Sequence, residues 1–177
     1  KWGGKYLRAP DIYFTILEKG KDKLGRLRDV AEVRFGVKTG CNEFFYLPSK
    51  HFNIKKEDKF YRLTPKHEGL PYHLSIEEEY VIPILKTAKD SLSLKLNRSK
   101  MNTRLLYCHD SREKLKEKLV FEYIKWGEGC NYDKISSVKS RKRWYDIGFK
   151  TISDSIILRR VGERMPVFYS NGVLEDN

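Results

Sequence analysis

The sequence has few cysteines, and their spacing excludes a disulfide framework and the usual zinc sites. Only Cys41, Cys108 and Cys130 occur in 177 residues, and none of them forms a C-x-x-C pair. An odd number of widely spaced thiols is typical of a reducing compartment, so we expect a cytoplasmic protein. The four histidines are scattered as well, and we expect no metal site.

Long apolar runs are also missing. No stretch approaches the roughly 20 apolar residues that a membrane-spanning helix needs, so we expect a soluble protein. The chain begins at Lys1 without an initiating methionine or a signal-peptide pattern, and we expect it to be part of a longer polypeptide. Without internal repeats or low-complexity linkers, residues 1–177 are predicted to form one domain.

The patterns that carry catalysis are absent too. No glycine-rich turn follows a convincing strand, no two prolines are adjacent, and no Ser/His/Asp or Cys/His arrangement has supporting context. The Glu-Lys pairs at 113–114 and 117–118 lie on a predicted helix, whereas a magnesium-dependent nuclease would carry such residues on paired strands. We therefore expect no catalytic residue, bound cofactor or metal in this chain.

Positive charge is abundant and unevenly distributed. The formal net charge is +12, and residues 86–118 and 134–164 each contribute +6. If these blocks lie on one face, they would attract a polyanion in a strongly salt-dependent manner.

The two blocks differ in character. Residues 112–119 alternate in sign, which is typical of a solvated helix face. Residues 139–145, by contrast, place four cations beside Trp144 and Tyr145 without a carboxylate, which favours contact with nucleic acid. The alternative is that both aromatic side chains fill the core while the cations extend into solvent.

Residues 36–47 predict a strand, a tight loop and a second strand. Gly36 and Gly40 permit backbone angles closed to other residues, and Thr39 and Asn42 favour a turn. Apolar residues alternate before the loop, and β-formers follow it.

Elsewhere the pattern is mixed, which predicts an α+β fold. The predicted helices cover residues 10–20, residues 113–126 after an N-cap at Ser111, and a segment that begins at Ser75. Strands are predicted at 33–37, 44–47, 60–63, 103–108, 152–158 and 166–169, with a turn or linker strand at 24–31 and a polar excursion at 48–58.

Taken in order along the chain, several blocks resemble the C-terminal specificity domain, or target recognition domain, of TaqI-like adenine-specific DNA methyltransferases and the related fused restriction-modification enzymes. The blocks are Trp2 and residues 6–10, 26–33, 36–47 and 141–145. The segment 82–86 also matches a family block, which we interpret as structural. A Lys-rich insertion at 86–104 departs from the family.

The resemblance implies a single strand-rich target-recognition domain with helical insertions. It implies binding of double-stranded DNA as the specificity domain of an adenine-specific methyltransferase in a restriction-modification system, whose upstream catalytic domain would hold S-adenosylmethionine. Whether the parent enzyme also cleaves DNA stays open.

Candidate DNA-binding residues follow from side-chain chemistry and the matching blocks. Guanidinium and ammonium groups bind phosphates, whereas amide and guanidinium groups also pair with base edges. For phosphate contact we propose Lys38, Lys139, Arg141, Lys142, Arg159 and Arg160. For closer contact with bases we propose Thr39, Asn42 and Arg143, although Thr39 and Asn42 could instead only close their own turn. Trp144 is expected to anchor and aim the basic loop rather than to intercalate.

Two other functions are compatible with the sequence. A protein-docking module of a DNA modification complex would present an exposed apolar patch and bind with little salt dependence. An RNA-binding module is less well supported, because RNP-like aromatic spacing and a Gly-x-x-Gly clamp are absent.

Overall fold

The computed structural model describes residues 9–158 and 165–176. Trp2 and residues 6–8 of the matching blocks lie outside the described residues. By its contacts the chain divides into two compact units, Lys1–Phe35 and Gly36–Asn177. The sequence, by contrast, predicted one domain over residues 1–177 with no domain boundary inside it.

The first unit contains two helices, α1 (Asp11–Lys19) and α2 (Leu27–Val30). Pro10 precedes α1 in an extended conformation, and the Gly20 amide closes the helix on the Ile16 carbonyl at 2.9 Å. The predicted first helix is therefore confirmed. No residue of either helix is buried.

The second unit holds three sheets among its described residues. The strands are β1 (Tyr46–Leu47), β2 (Phe52–Glu57), β3 (Phe60–Pro65), β4 (Ser75–Glu77), β5 (Val81–Leu85), β6 (Arg104–Leu106), β7 (Ser155–Ile157), β8 (Val167–Tyr169) and β9 (Leu174–Glu175). The largest sheet has the strand order β1-β6-β5-β9, and its β5–β9 pair is parallel, whereas its other pairs are antiparallel. The sheets β2-β3-β4 and β7-β8 are antiparallel.

The described residues of this unit also form three helices, together with single 3-10 turns at Glu78–Tyr80, Ala88–Asp90, Arg98–Lys100 and Tyr132–Lys134. The helices are α3 (Asn42–Phe45), α4 (Arg112–Leu115) and α5 (Leu119–Gly129). Helices and sheets are thus combined in one chain, and the predicted α+β class is confirmed.

The unit is held by two hydrophobic clusters. The larger packs α3 and α5 against the first two sheets through buried residues such as Phe44, Phe52, Leu63 and Tyr123. The smaller lies under β7 and β8 and comprises Leu85, Leu96, Met101, Ile156, Phe168 and Val173. Full burial of one such large side chain contributes roughly 1.5–3 kcal/mol.

Several predicted elements are confirmed. These are the strands at 60–63, 103–108, 152–158 and 166–169, which correspond to β3, β6, β7 and β8. Pro83 and Ile84 are buried in β5, in agreement with a structural role for the segment 82–86.

Other predicted elements are wrong. Val33 and Phe35 are exposed and only Val37 forms a β-bridge, to Asp176, so residues 33–37 are not a strand. The polar excursion contains β2, and the turn at 24–31 contains α2. The segment beginning at Ser75 is β4, and Asn42–Phe45 is helical before β1 begins. The helix at 113–126 divides into α4 and α5.

Within the described residues, the helices are too short and too polar for any of them to cross a bilayer.

Candidate nucleic-acid interface

The glycine loop, residues 36–43, is fixed by the C-terminal strand. The Val37 amide donates to the Glu175 carbonyl at 2.7 Å, and a Cβ added at Gly36 would meet that same carbonyl oxygen at 2.7 Å. The Thr39 hydroxyl donates to the Asn42 side-chain oxygen, so these two residues do close the predicted turn. Thr39 is buried, whereas Asn42 is exposed.

The basic loop, residues 137–145, contacts the glycine loop directly. The Arg141 guanidinium donates to the Thr39 carbonyl at 2.8 Å and to the Lys38 carbonyl at 3.4 Å, and it lies over the Phe45 ring. Ser137 donates its hydroxyl to the Gly40 carbonyl at 2.5 Å. Two loops about a hundred residues apart in sequence are therefore joined.

Gly40 is required at this junction for two reasons. Its φ is +71°, a left-handed angle that glycine adopts without a steric penalty. A Cβ there would also lie 3.0 Å from the Ser137 carbonyl oxygen and 3.1 Å from the Arg141 guanidinium. Because the basic loop covers the turn this closely, a side chain at position 40 would displace it.

Trp144 anchors the basic loop in the core, as expected. Its ring centroid lies 4.4 Å from that of Phe44, and its indole nitrogen donates to Glu128 at 3.2 Å. Gly127 of α5 makes room for this contact, since a Cβ there would lie 2.6 Å from Phe44 and 2.8 Å from Trp144. Tyr145 is buried beside Trp144.

Arg143 is paired within the protein. Its guanidinium donates to Asp146 at 2.5 Å, and the His109 ring nitrogen Nδ1 lies 2.6 Å from the same carboxylate. The Gly148 amide donates to Asp146 at 2.8 Å. Burial would raise the pKa of Asp146, but these three donors outweigh burial and hold the pKa below its ordinary value.

The remaining predicted contacts lie at the surface of the joined loops. Lys38, Asn42, Lys139 and Lys142 are all exposed. Within residues 9–158 and 165–176, Lys139 and Lys142 have no carboxylate within ion-pair distance. Arg159 and Arg160 lie outside the described residues.

Two predicted contacts have a different geometry from the one expected. Thr39 was predicted to approach DNA bases, but its side chain is buried and bonded to Asn42. Arg141 was predicted to bind phosphate, but its guanidinium donates to three carbonyl oxygens of the protein, and burial lowers its pKa. Both side chains fix the loops instead. Ser137, which also joins the loops, was not recognised because a lone serine carries no sequence signal.

The buried thiols are unsuited to nucleophilic chemistry. Burial raises the pKa of Cys41, and it raises the pKa of Cys108 to about 12, so both stay protonated at neutral pH. In the part of the chain that the structure describes, no three His, Cys, Asp or Glu side chains are grouped to hold a metal ion.

Comparison with known proteins agrees with the order of blocks in the sequence. A search of curated proteins gives no match. The family described as the C-terminal domain of the type II methyltransferase M.Eco57I matches residues 1–174, nearly the whole chain. The predicted resemblance to a C-terminal domain of a restriction-modification methyltransferase is confirmed. The chain belongs to the family of the type II methyltransferase M.Eco57I C-terminal domain.

Proposed function

We propose that this chain binds double-stranded DNA and provides target specificity to an adenine-specific methyltransferase. The observation that carries the proposal is the junction of the glycine loop with the basic loop through Arg141. The chemistry of both loops favours contact with DNA, and hydrogen bonds from Arg141 and Ser137 join the loops in the fold. Lys38, Lys139, Lys142 and Asn42 are exposed on the joined loops.

The two kinds of side chain would have different tasks. The exposed lysines bind phosphates, which supplies affinity without sequence information. The Asn42 amide can pair with an adenine edge in the major groove, which supplies discrimination. Thr39, Arg141 and Trp144 hold the loops in position, and Arg143 joins the contact surface only if it leaves Asp146.

Catalysis would reside in another part of the enzyme. The sequence has no glycine-rich turn after a convincing strand, so we place the S-adenosylmethionine site in the catalytic domain of the same parent chain. This chain would hold the duplex while that domain transfers the methyl group to the target adenine, a step that requires the base to leave the stack.

A salt titration tests DNA binding. Fluorescence anisotropy of a labelled duplex should show affinity that falls steeply with salt, with a slope of about −0.9 for each phosphate contacted. The double variant Lys139→Gln, Lys142→Gln should reduce that slope by roughly 2, whereas the matched variant Lys114→Gln, Lys116→Gln in the segment 112–119 of alternating charge should not. Affinity that is absent at low salt, or insensitive to salt, would refute DNA binding.

One observation favours a docking role for the first unit. Ile12, Tyr13, Phe14, Ile16 and Leu17 of α1 are all between 41% and 61% exposed. Apolar side chains concentrated on one short helix are typical of a protein contact. We propose that α1 contacts the catalytic domain of the methyltransferase. The first unit would then connect the two parts of the enzyme, and the second unit would bind DNA.

The docking role predicts an effect on catalysis without loss of DNA affinity. In the full-length enzyme, Ile16→Ser should lower methyl transfer while leaving the DNA dissociation constant unchanged. Lys19→Ser, which changes a polar position of the same helix, should leave both unchanged. Equal methyl transfer by both variants would refute the docking role.

A further inference from the structure

A shallow pocket lies beside the turn that Thr39 and Asn42 close. Its volume is about 210 Å³, whereas one water molecule occupies about 30 Å³ of liquid. The pocket could therefore take a group several times larger than water. The lining residues that matter are Asn42, Glu43, Tyr46, Pro48, Lys50 and Lys86.

The lining connects segments that are distant in the sequence. Asn42 and Glu43 belong to the glycine loop, whereas Lys86 begins the Lys-rich insertion that sets this chain apart from the resembled family. Lys86 lies 5.0 Å from the centroid of the Tyr46 ring. Lys86 thus brings the Lys-rich segment 86–104 into contact with the lining of the pocket.

One lysine of the pocket lies outside an ion pair. Lys50 is paired with Glu43 at 2.6 Å. Among the described residues, Lys86 has no carboxylate within 4.0 Å. The two other carboxylates beside the pocket accept hydrogen bonds, Asp90 from the Lys86 amide and Asp176 from the Tyr46 hydroxyl, so the Lys86 ammonium is the cation of the lining that a phosphate can reach.

The frame of the pocket is fixed before any ligand arrives. Tyr46 donates its hydroxyl to Asp176 at 2.6 Å, and the Lys86 amide donates to the Asp90 carboxylate at 2.9 Å. The Tyr132 hydroxyl donates to Glu43 at 3.3 Å. Only the ends of the lysine side chains need to move, so little ordering entropy is lost on binding.

We propose that this pocket binds one sugar–phosphate unit of the DNA backbone, with Lys86 as the main phosphate contact. The inference rests on the proposed DNA-binding function and adds a contact that neither the sequence nor the family assigned. The phosphate would lie beside the Lys86 ammonium at the mouth of the pocket, while Pro48 and the edge of Tyr46 face the sugar. The Asn42 amide, at the same edge of the pocket, stays available for a base, and Lys50 stays paired with Glu43.

The salt dependence of binding by the full chain tests the proposal. Lys86→Gln should reduce the slope of log affinity against log salt by about 0.9, which corresponds to roughly eightfold weaker binding at 0.1 M salt. Lys86→Arg should keep the wild-type slope. Lys116→Gln removes the same charge outside the pocket and serves as the control. A slope for Lys86→Gln equal to that of the control would overturn the proposal.

A second measurement separates DNA from a free anion. The side-chain amide NMR signals of Asn42 should shift on addition of a short duplex, and inorganic phosphate at the same phosphate concentration should leave them in place. A shift with inorganic phosphate but not with the duplex would overturn the assignment to DNA. If the wild-type chain binds no DNA at all, the proposed function fails instead, so the two failures are distinguishable.

Discussion

Arg141 and Lys142 are adjacent cations with opposite surroundings. Arg141 points inward and donates to the carbonyl groups of Lys38, Thr39 and Trp144, whereas Lys142 is exposed. A guanidinium suits the inward position because its fixed fork of donors can satisfy several carbonyl groups at once. The Lys142 ammonium is left for a ligand.

The Arg141 side chain should therefore matter for stability more than its neighbour does. Arg141→Ala removes the donors of partly buried carbonyl groups and should lower the free energy of unfolding by about 1–3 kcal/mol. Lys142→Ala should change it by less than about 0.5 kcal/mol and should instead weaken DNA binding. Urea unfolding monitored by tryptophan fluorescence distinguishes them, and equal stability of the two variants would contradict the assignment.

The Asp146 carboxylate should make stability fall in acid. Its pKa is lowered in the fold, because its hydrogen-bond donors outweigh burial. Such a group stabilises the fold at pH values above its unfolded pKa of about 3.9 and loses that contribution as the pH falls towards the lower folded pKa.

Urea unfolding at pH 6, 4 and 3 tests this expectation. The wild-type free energy of unfolding should decline more steeply than that of Asp146→Asn, which cannot titrate at this position. Glu117→Gln, at an exposed position, should follow the wild type. Parallel decline in wild type and Asp146→Asn would show that the carboxylate contributes nothing.

Helix α5 combines two glycines with different surroundings. Gly127 faces Phe44 and Trp144, whereas a Cβ at Gly129 would meet no atom within 4 Å. We expect Gly127→Ala to destabilise the protein by roughly 1–3 kcal/mol through overpacking. Gly129→Ala should be neutral or stabilising by up to about 1 kcal/mol. Thermal unfolding of both variants provides the comparison, and destabilisation by Gly129→Ala alone would contradict the expected packing.

The start of α5 shows why its boundaries were not predictable from local sequence. Glu77 accepts hydrogen bonds from the Leu119 and Val120 amides at 2.7 and 3.0 Å. A helix was predicted to begin at Ser75, but Glu77 lies in β4 and its carboxylate caps the N-terminus of α5 instead. Because the capping carboxylate lies 42 residues away in the sequence, no local sequence pattern predicts where α5 begins.

The β2–β3 hairpin was missed for a different reason. Its turn is Asp58-Lys59, and Asp58 adopts a φ of +49° without glycine. The common hairpin signal of Asn-Gly or Asp-Gly is absent. Strands with apolar residues of their own, such as β6 and β8, were predicted correctly because the buried side chains lie within the strand itself.

The candidate site was predictable in location but not in orientation. The composition of residues 139–145 and the Gly36–Gly40 spacing identified both loops. The orientation of each arginine depends on its partner, which is the Thr39 carbonyl for Arg141 and the Asp146 carboxylate for Arg143. Thr39 is distant from Arg141 in the sequence, and only the fold brings the two within hydrogen-bond distance.

At the scale of the whole molecule, the two units should contribute unequally to stability. Both hydrophobic clusters lie within residues 36–176, and neither α1 nor α2 buries a residue. A chain that begins at Gly36 should therefore unfold with a free energy within about 1 kcal/mol of the full chain. Circular dichroism during thermal unfolding measures this, and a non-cooperative transition would contradict it.

Truncation at the other end, by removal of residues 174–177, should destabilise the protein. It deletes β9, together with the partner of the Val37 amide, the partner of the Tyr46 hydroxyl and the buried Leu174. We expect a loss of several kcal/mol, since a buried leucine alone contributes about 1.5–3 kcal/mol. A truncated chain as stable as the wild type would show that β9 is dispensable.

The attachment of the glycine loop to β9 also has a consequence for the order of events during synthesis. Residues 36–43 leave the ribosome more than a hundred residues before Glu175 and Asp176, and at typical rates of about 5–20 residues per second that interval is many seconds. Until β9 emerges, Val37 and Tyr46 lack their partners. A nascent chain would therefore acquire a fixed glycine loop only after β9 has left the ribosome.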